Sequence, residues 1–212
     1  MTAWKYALPV TLLLMGAGCA RTGQITLDGI TAVRTACPAV AIPAATGDIT
    51  LFNPVKSQDL SALDVVAAMT KVRSTCVDVG ENVETTITFD VQARRINTEG
   101  ARDVSFPYFV TVVQGGTAVV SKRIGRVMVH FDAGQTRAAA SGEAVAGVVR
   151  AAATLSSETR KLLTRKRKAG EEDAATDPLA RPEIRVAIQR ATFEALVGFQ
   201  LTDDQLKYNA TR

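Results

Sequence analysis

The side chains with the greatest capacity for chemistry in this chain of 212 residues are one histidine and three cysteines. Nucleophilic catalysis needs a base that takes the proton of the nucleophile, and histidine most often supplies it. His130 lies in the segment RVMVHF, on the face opposite Val127, Val129 and Phe131. This alternation predicts an outward-pointing or edge histidine with a structural role, and we therefore predict no catalytic residue.

The sequence lacks the short motifs that bind nucleotides or metals. It contains no P-loop, no GxGxxG, no HExxH, no CxxC and no SxxK. The acidic clusters at residues 171–173 and 203–204 do not have the spacing of a calcium-binding loop. These observations predict no cofactor, no metal site and no enzymatic activity.

Residues 6–20 (YALPVTLLLMGAGCA) have an apolar core followed by small residues and Cys19. The segment is typical of a secretory signal and is too short to span a bilayer as a permanent helix. A cysteine directly after Ala-Gly resembles the lipobox of bacterial lipoproteins, although Gly16 stands where leucine is usual. The resemblance implies that residues 1–18 are removed, that the Cys19 sulfur is diacylated and that the new amino terminus is acylated. Ordinary secretion with an unmodified Cys19 is the alternative.

The residue after the lipidated cysteine bears on localisation. In many bacteria an aspartate at this place is the signal for retention in the inner membrane, and this chain has Ala20. The lipoprotein resemblance therefore implies a lipid-anchored protein of the outer membrane that faces the periplasm. Its first partner would be the membrane itself.

If Cys19 carries lipid, Cys37 and Cys76 remain as an even pair in an exported protein. In an oxidising periplasm we expect them to form a disulfide. Such a bond would close a loop of roughly 40 residues and stabilise the fold by about 4 kcal/mol in the chain-entropy model. Two buried free thiols are the alternative.

The charged segment at residues 156–182 contains the one feature that predicts binding of an anion. Six basic residues lie within residues 160–168: Arg160, Lys161, Arg165, Lys166, Arg167 and Lys168. Each cation near an anionic membrane surface contributes about 1 kcal/mol of attraction. The alternative is a solubilising segment whose charge is balanced by the acidic residues 171–173.

Most of the segments that must position these residues have patterns that predict β-strands. Residues 83–91 alternate between apolar and polar side chains, which predicts a half-buried antiparallel strand. Residues 106–113 and 117–122 are joined through a Gly-Gly turn, which predicts a hairpin. Residues 126–131 alternate again, and residues 192–201 predict a closing strand.

Other segments are ambiguous. Residues 60–72 fit both a helical face and a strand, and we favour a strand because a β-rich region follows. Residues 138–153 are rich in alanine, valine and glycine and fit either structure equally well. Residues 187–196 could also form a helix. Residues 203–209 predict a helical turn capped by Thr202.

Short strands joined by tight turns predict an all-β fold, an immunoglobulin- or fibronectin-III-like antiparallel β-sandwich. The sandwich would carry a lipidated N-terminal tether and a charged helical or disordered insertion. We divide the chain into a signal peptide (1–18), a tether (19–36), a sandwich (37–201, including the insertion 156–182) and a C-terminal tail (202–212).

Several short motifs resemble a family of small, uncharacterised lipoproteins of alphaproteobacteria. They are Cys37-Pro38, Phe52 with Asp59-Leu60, Cys76, Phe109-Val110, Ser121-Lys122 and the ending VGFQLTDDQLKYN at residues 197–209. The ending is the most specific of these motifs. The resemblance implies a periplasmic sandwich anchored by lipid, and it assigns no activity.

These features together predict a non-catalytic, lipid-anchored periplasmic protein that acts as an accessory or scaffold subunit of a cell-envelope assembly. We expect a protein of the envelope as its partner. Nucleic acid is excluded as a partner by the compartment and by a net charge of only +4. The alternative is a binder or carrier of a small amphiphile or anionic envelope component. A carrier would need an apolar cavity, on the order of a few hundred Å³, between the two sheets.

Overall fold

The computed structural model describes residues 23–26, 29–32, 35–165, 170 and 176–211. The chain forms two units, Met1–Arg34 and Thr35–Arg212. In the first unit, β1 (Gly23–Thr26) and β2 (Gly29–Ala32) pair as an antiparallel hairpin. Cys19 and the predicted signal peptide lie outside the described residues.

The second unit is built from two packed four-stranded sheets. Its strands, in chain order, are β3 (Ala39–Ala41), β4 (Asp48–Phe52), β5 (Leu63–Val79), β6 (Asn82–Arg95), β7 (Arg102–Gln114), β8 (Ala118–Phe131), β9 (Arg137–Val149) and β10 (Phe193–Phe199). The first sheet has the order β3-β10-β7-β8, and the second sheet has the order β4-β5-β6-β9. Neighbouring strands are antiparallel, except that β3 runs parallel to β10. The predicted β-sandwich is confirmed at this level.

The core follows the alternation that the sequence predicted for β6. Val83, Ile87, Phe89 and Val91 are each at most 1% exposed, Thr85 is buried on the same face, and the residues at 84, 86, 88 and 90 lie on the opposite face. Strands of the first sheet contribute three phenylalanines that are fully buried: Phe106, Phe131 and Phe199. Removing a large apolar side chain from water stabilises the fold by about 1.5–3 kcal/mol.

Strand β8 differs from its sequence prediction. Residues 117–122 and 126–131 were predicted as two strands, and from Ala118 onward they belong to one continuous strand, with Thr117 in the preceding turn. Gly125 does not interrupt this strand. At Gly125 the backbone passes directly beside the ring of Tyr108. A Cβ atom on Gly125 would overlap that ring.

The segments with an ambiguous pattern are resolved mainly as strands. β5 begins at Leu63, after a 3-10 turn at Leu60–Ala62. In β9 the residues Ala144, Ala146 and Val148 are buried at alternate positions, which is the period of a strand. The closing strand β10 is confirmed and lies within the first sheet, between β3 and β7. A helix just before it accounts for the helical pattern around residue 187.

The predicted disulfide is confirmed. Cys37 and Cys76 are bonded, with their Cα atoms 6.1 Å apart. Cys37 precedes β3 of the first sheet, and Cys76 lies in β5 of the second sheet. The bond therefore joins the two sheets covalently, and closing its loop contributes about 4 kcal/mol in the chain-entropy model.

The charged insertion contains helical structure, which was one of the two predicted alternatives. It includes α1 (Ser157–Thr164) and a 3-10 turn at Pro178–Ala180, and α2 (Pro182–Arg190) follows. Its residues 166–169 and 171–175 lie outside the described part of the chain.

The C-terminal tail forms α3 (Asp203–Thr211), which is longer than the predicted turn. Thr202 Oγ1 accepts a hydrogen bond from Gln205 N at 3.3 Å, and Gln205 Oε1 accepts one from Thr202 N at 2.9 Å. This reciprocal pair is a capping box. Asn209 Nδ2 donates to two backbone carbonyls at and beside β4, at 2.9 and 2.8 Å, and so docks the helix on the sandwich.

One end of the sandwich is closed by a buried arginine. Arg95, at the end of β6, is 1% exposed. Its Nε donates to the carbonyl of Gln135 at 2.8 Å, and its Nη2 donates to the carbonyls of Thr98, Gly100 and Asp132 at 3.2, 2.9 and 2.7 Å. These carbonyls belong to the two connections β6–β7 and β8–β9, which both cross between the sheets. A single side chain therefore holds both crossovers together.

We predict that Arg95→Met lowers the free energy of unfolding by about 2–4 kcal/mol, because four carbonyls lose a charged donor. Arg95→Lys should be destabilising by about half as much, since an ammonium cannot reproduce the planar fork. Chemical denaturation of purified protein measures both values. The matched control is the exposed neighbour, Arg94→Met, which should stay within about 0.5 kcal/mol of wild type. Equal effects at the two positions would contradict this account.

Candidate functional site

The first half of β8 is exposed on both of its faces. All residues from 118 to 124 are exposed, including Val119 (65%), Val120 (56%) and Ile124 (62%). Because β8 is the last strand of its sheet, no strand in the described part of the chain pairs with its outer edge. We refer to residues 118–124 as the edge ribbon.

The edge ribbon is exposed because the second sheet does not cover it. Contact between the sheets reaches Gly125, beside which Tyr108 donates its hydroxyl to the Glu143 carbonyl of β9 at 2.6 Å. Burial raises the pKa of Tyr108 and the charge of Glu143 raises it further, so the hydroxyl stays a donor at neutral pH. Ahead of Gly125, Ser121 and Arg123 pair with buried positions of β7, and they are nevertheless exposed.

The turn that leads into the edge ribbon is held in place. Gly115 and Gly116 have φ values of 62° and 77°, in the left-handed region that glycine adopts readily. Gln189 Nε2, in α2, donates to the Gly115 carbonyl at 3.0 Å, and Gly115 N donates to the Thr192 carbonyl at 2.9 Å. The strand therefore leaves a fixed hairpin, which preorganises its edge.

The chemistry of the edge ribbon is basic and apolar. Lys122 and Arg123 lie between the exposed Val120 and Ile124, and the Lys122 ammonium sits 5.3 Å from the centre of the Phe109 ring. An unpaired strand edge presents backbone N–H and C=O groups to an incoming strand. The arrangement can accept an extended segment through main-chain hydrogen bonds, with side-chain selection for acidic and apolar residues.

His130 points outward, as the sequence predicted, at the far end of the same strand. Its Nδ1 is 2.7 Å from Asp103 Oδ1 on β7, and its Nε2 is 3.4 Å from Asp132 Oδ1. The hydrogen bond with Asp103 is the main cause that raises the pKa of His130, and the charge of Asp132 adds to it. Both ring nitrogens therefore face carboxylates, an arrangement that forms ion pairs between strand ends.

The predicted anion-binding residues are placed only in part. Arg160 and Lys161 are exposed on α1, and Arg165 follows its last turn. Lys166, Arg167 and Lys168 lie outside the described residues. Binding of an anion by this segment therefore remains a prediction.

A groove of about 740 Å³ lies on the second sheet. The groove is lined by the small residues Ala68 and Ala139, by Asp48 and by two arginines, Arg94 and Arg137. Every residue that lines it belongs to β4, β5, β6 or β9, so this groove does not lie between the two sheets.

The patterns in the sequence did not predict the two arginines of this groove. Arg94 of β6 and Arg137 of β9 are direct partners in the antiparallel register, which places both side chains on the same face. They are 43 positions apart (137 minus 94) and belong to no short motif. Only the register of β6 with β9 brings them together. In the sequence, Arg94 comes after the strand predicted at residues 83–91 and Arg137 comes just before the ambiguous segment 138–153, so neither lay on a predicted face.

Comparison with protein-family models, with curated proteins and with solved structures finds no match to this chain. Among the described residues, no helix combines the length and the apolar character needed to cross a membrane. Within that same part of the chain, no group of three or more His, Cys, Asp and Glu side chains is arranged to hold a metal ion.

We predict that Asp103→Asn lowers the pKa of His130 toward its ordinary value, because it removes the main partner of the imidazolium. His130 is the only histidine, so a pH titration of its ring proton signals by NMR reports one site. A pKa raised in the folded state stabilises the fold below the unfolded pKa, and this stabilisation is lost as the pH rises through the folded pKa. Asp132→Asn should cause a smaller decrease. An unchanged His130 pKa in Asp103→Asn would contradict the assignment.

Proposed function

We propose that this protein is a non-catalytic, lipid-anchored periplasmic subunit that docks on an assembly of the cell envelope. The N-terminal signal with Cys19, followed by Ala20, supports an anchor in the outer membrane. The Cys37–Cys76 disulfide supports an oxidising compartment such as the periplasm. The resemblance to small alphaproteobacterial lipoproteins supports the same location.

The observation that carries the docking function is the edge ribbon. Soluble β proteins usually cover, shorten or twist an open edge, because an exposed edge pairs with other chains. Here the edge ribbon is long, and exposed apolar residues lie on both sides of Lys122 and Arg123. Its partner on this proposal is an extended segment of an envelope protein, with acidic and apolar side chains, that adds a strand beside β8.

We further propose that the sandwich is immunoglobulin- or fibronectin-III-like in architecture. Those domains also consist of two packed antiparallel sheets that the chain crosses between repeatedly. Here the sheets are ordered β3-β10-β7-β8 and β4-β5-β6-β9, so the likeness concerns the layers rather than the strand order of an immunoglobulin constant domain.

The space between the sheets favours docking over the carrier function. Four phenylalanines lie there with at most 1% exposure: Phe89, Phe106, Phe131 and Phe199. The ring centroids of Phe106 and Phe199 are 6.0 Å apart. These side chains occupy the volume that an amphiphile would need. We therefore prefer a function at the surface of the sandwich.

The lipid anchor has a direct test. Cys19→Ser should move the protein from the membrane fraction to the soluble periplasm, because the acyl chains are attached through this cysteine. Fractionation of cells that express wild type and variant measures the shift, and Cys37→Ser is the control that leaves the anchor site intact. A Cys19→Ser protein that still sediments with membranes would show that lipid is not the anchor.

The docking site is tested by photo-cross-linking in cells. A photoreactive residue placed at Val120, Lys122 or Ile124 should give an adduct with one envelope protein, whereas the same residue at Thr75, exposed on β5, should not. Adducts of equal yield at Thr75, or adducts only with a second copy of this chain, would contradict the proposal.

Introducing a negative charge into the edge ribbon measures its energetic contribution to docking. Ile124→Glu should lower the adduct yield from position 122 by about tenfold, which corresponds to about 1.4 kcal/mol. Met128→Glu is the matched control, because Met128 is 55% exposed on the same strand and lies beyond the edge ribbon. Both variants should keep wild-type stability within about 0.5 kcal/mol, since both positions are exposed.

A further inference from the structure

We propose that the groove on the second sheet binds a phosphate monoester, through Arg94 and Arg137. This site is independent of the edge ribbon, because it is built on the other sheet. The two arginines are register partners on β6 and β9, and both are exposed. Directly opposed like charges destabilise an antiparallel pair, with Cβ atoms only about 4.5–5.5 Å apart. A bound anion would convert this repulsion into attraction.

Two carboxylates near Arg94 on the same face are already engaged by other cations. Asp64, diagonal to Arg94 across the β5–β6 pair, receives two hydrogen bonds from Arg102, at 2.7 and 2.6 Å. Asp90, further along β6, contacts Lys71 Nζ at 3.0 Å. No salt bridge to Arg94 or Arg137 occurs among the described residues. The charge of the two arginines therefore remains available to a ligand.

A further hydrogen bond strengthens the separate pairing of Asp90. Ser141 Oγ donates to Asp90 Oδ1 at 2.9 Å. The hydrogen bonds from Lys71, first, and from Ser141 hold the pKa of Asp90 below its ordinary value. Asp90 therefore stays ionised and paired with Lys71 at neutral pH, and it does not serve as the counter-ion of the groove.

The shape of the groove indicates a ligand larger than an inorganic ion. Its volume is about 740 Å³, which is within the range of about 300–1,000 Å³ for small-molecule sites. Ala68 and Ala139 leave room above the sheet between Asp48 and the two arginines. An organic group joined to the phosphate would occupy this space, and the side near Asp48 favours hydroxyl groups over a second anion.

Two guanidinium groups match a dianion in charge and geometry. Each can donate a fork of two N–H bonds to neighbouring oxygens, and arginine is suited to such bidentate recognition. A phosphate monoester offers three terminal oxygens and a charge near −2 at neutral pH. The same group occurs in soluble esters and in lipid headgroups such as phosphatidate. Soluble esters and lipid headgroups present the same phosphate group to the two arginines, and the experiments distinguish these two sources.

Calorimetric titration of the mature Cys19→Ser protein with glycerol 3-phosphate tests the soluble source. Arg94→Gln and Arg137→Gln should each weaken binding at least tenfold, and the double variant should show none. The matched control is Arg73→Gln, an exposed arginine on the same sheet that does not line the groove, and it should change Kd less than twofold.

Flotation with phosphatidylcholine vesicles, with and without phosphatidic acid, tests the lipid source with the same proteins. Binding in either assay that depends on Arg94 and Arg137 supports the proposal and identifies the source. Absence of binding in both assays, or an equal loss in Arg73→Gln, would overturn it.

Thermal unfolding separates loss of the site from loss of the fold. Without ligand, the midpoint of the double variant should equal or exceed that of wild type, because the cross-strand repulsion is removed. Glycerol 3-phosphate should raise the midpoint of wild type and leave that of the double variant unchanged. An equal increase in both proteins would contradict binding at this groove.

Discussion

The architecture depends on one buried cation. Arg95 replaces its lost hydration with four backbone carbonyls, and its guanidinium lies 5.2 Å from the centre of the Phe131 ring. A buried charge is costly unless its donors are satisfied, so each contact depends on the others being present. The carbonyls come from both crossovers at this end of the sandwich. Arg95 therefore fixes where β6 ends, where β9 begins and how the two sheets meet.

The two candidate sites are related to this closed end in different ways. Arg95 N donates to the Thr136 carbonyl at 3.0 Å, next to the position where Arg94 and Arg137 become register partners. The hydrogen bonds of the inward-facing Arg95 thus align the two outward-facing arginines, Arg94 and Arg137. The edge ribbon lies toward the opposite end of β8, about 30 Å along the strand from its last residue. There the sheets are no longer in contact, and one of them presents a bare edge.

Local patterns in the sequence were sufficient for the elements but not for the sites. The alternation at residues 83–91 and the Gly-Gly turn predicted β6 and the hairpin, because each depends on neighbours in the chain. The pairing of Cys37 with Cys76 followed from counting thiols in an exported chain. The length of β8 was missed because its glycine makes room for a tyrosine from another strand, a contact that no local pattern reveals. The burial of Arg95 and the alignment of Arg94 with Arg137 depend on register and crossover geometry, which are properties of the folded chain.

The position of the disulfide also determines how the domain bears mechanical force. Tension applied to the chain ahead of Thr35 reaches Cys37 and passes through the sulfur atoms to Cys76, which lies within the last four residues of the 17-residue strand β5. The three-residue strand β3, which comes next in the chain, lies outside this load path. A short terminal strand would otherwise be the first element to peel away. The oxidised domain should therefore resist pulling from its N-terminal side, whereas reduction would transfer the load to β3.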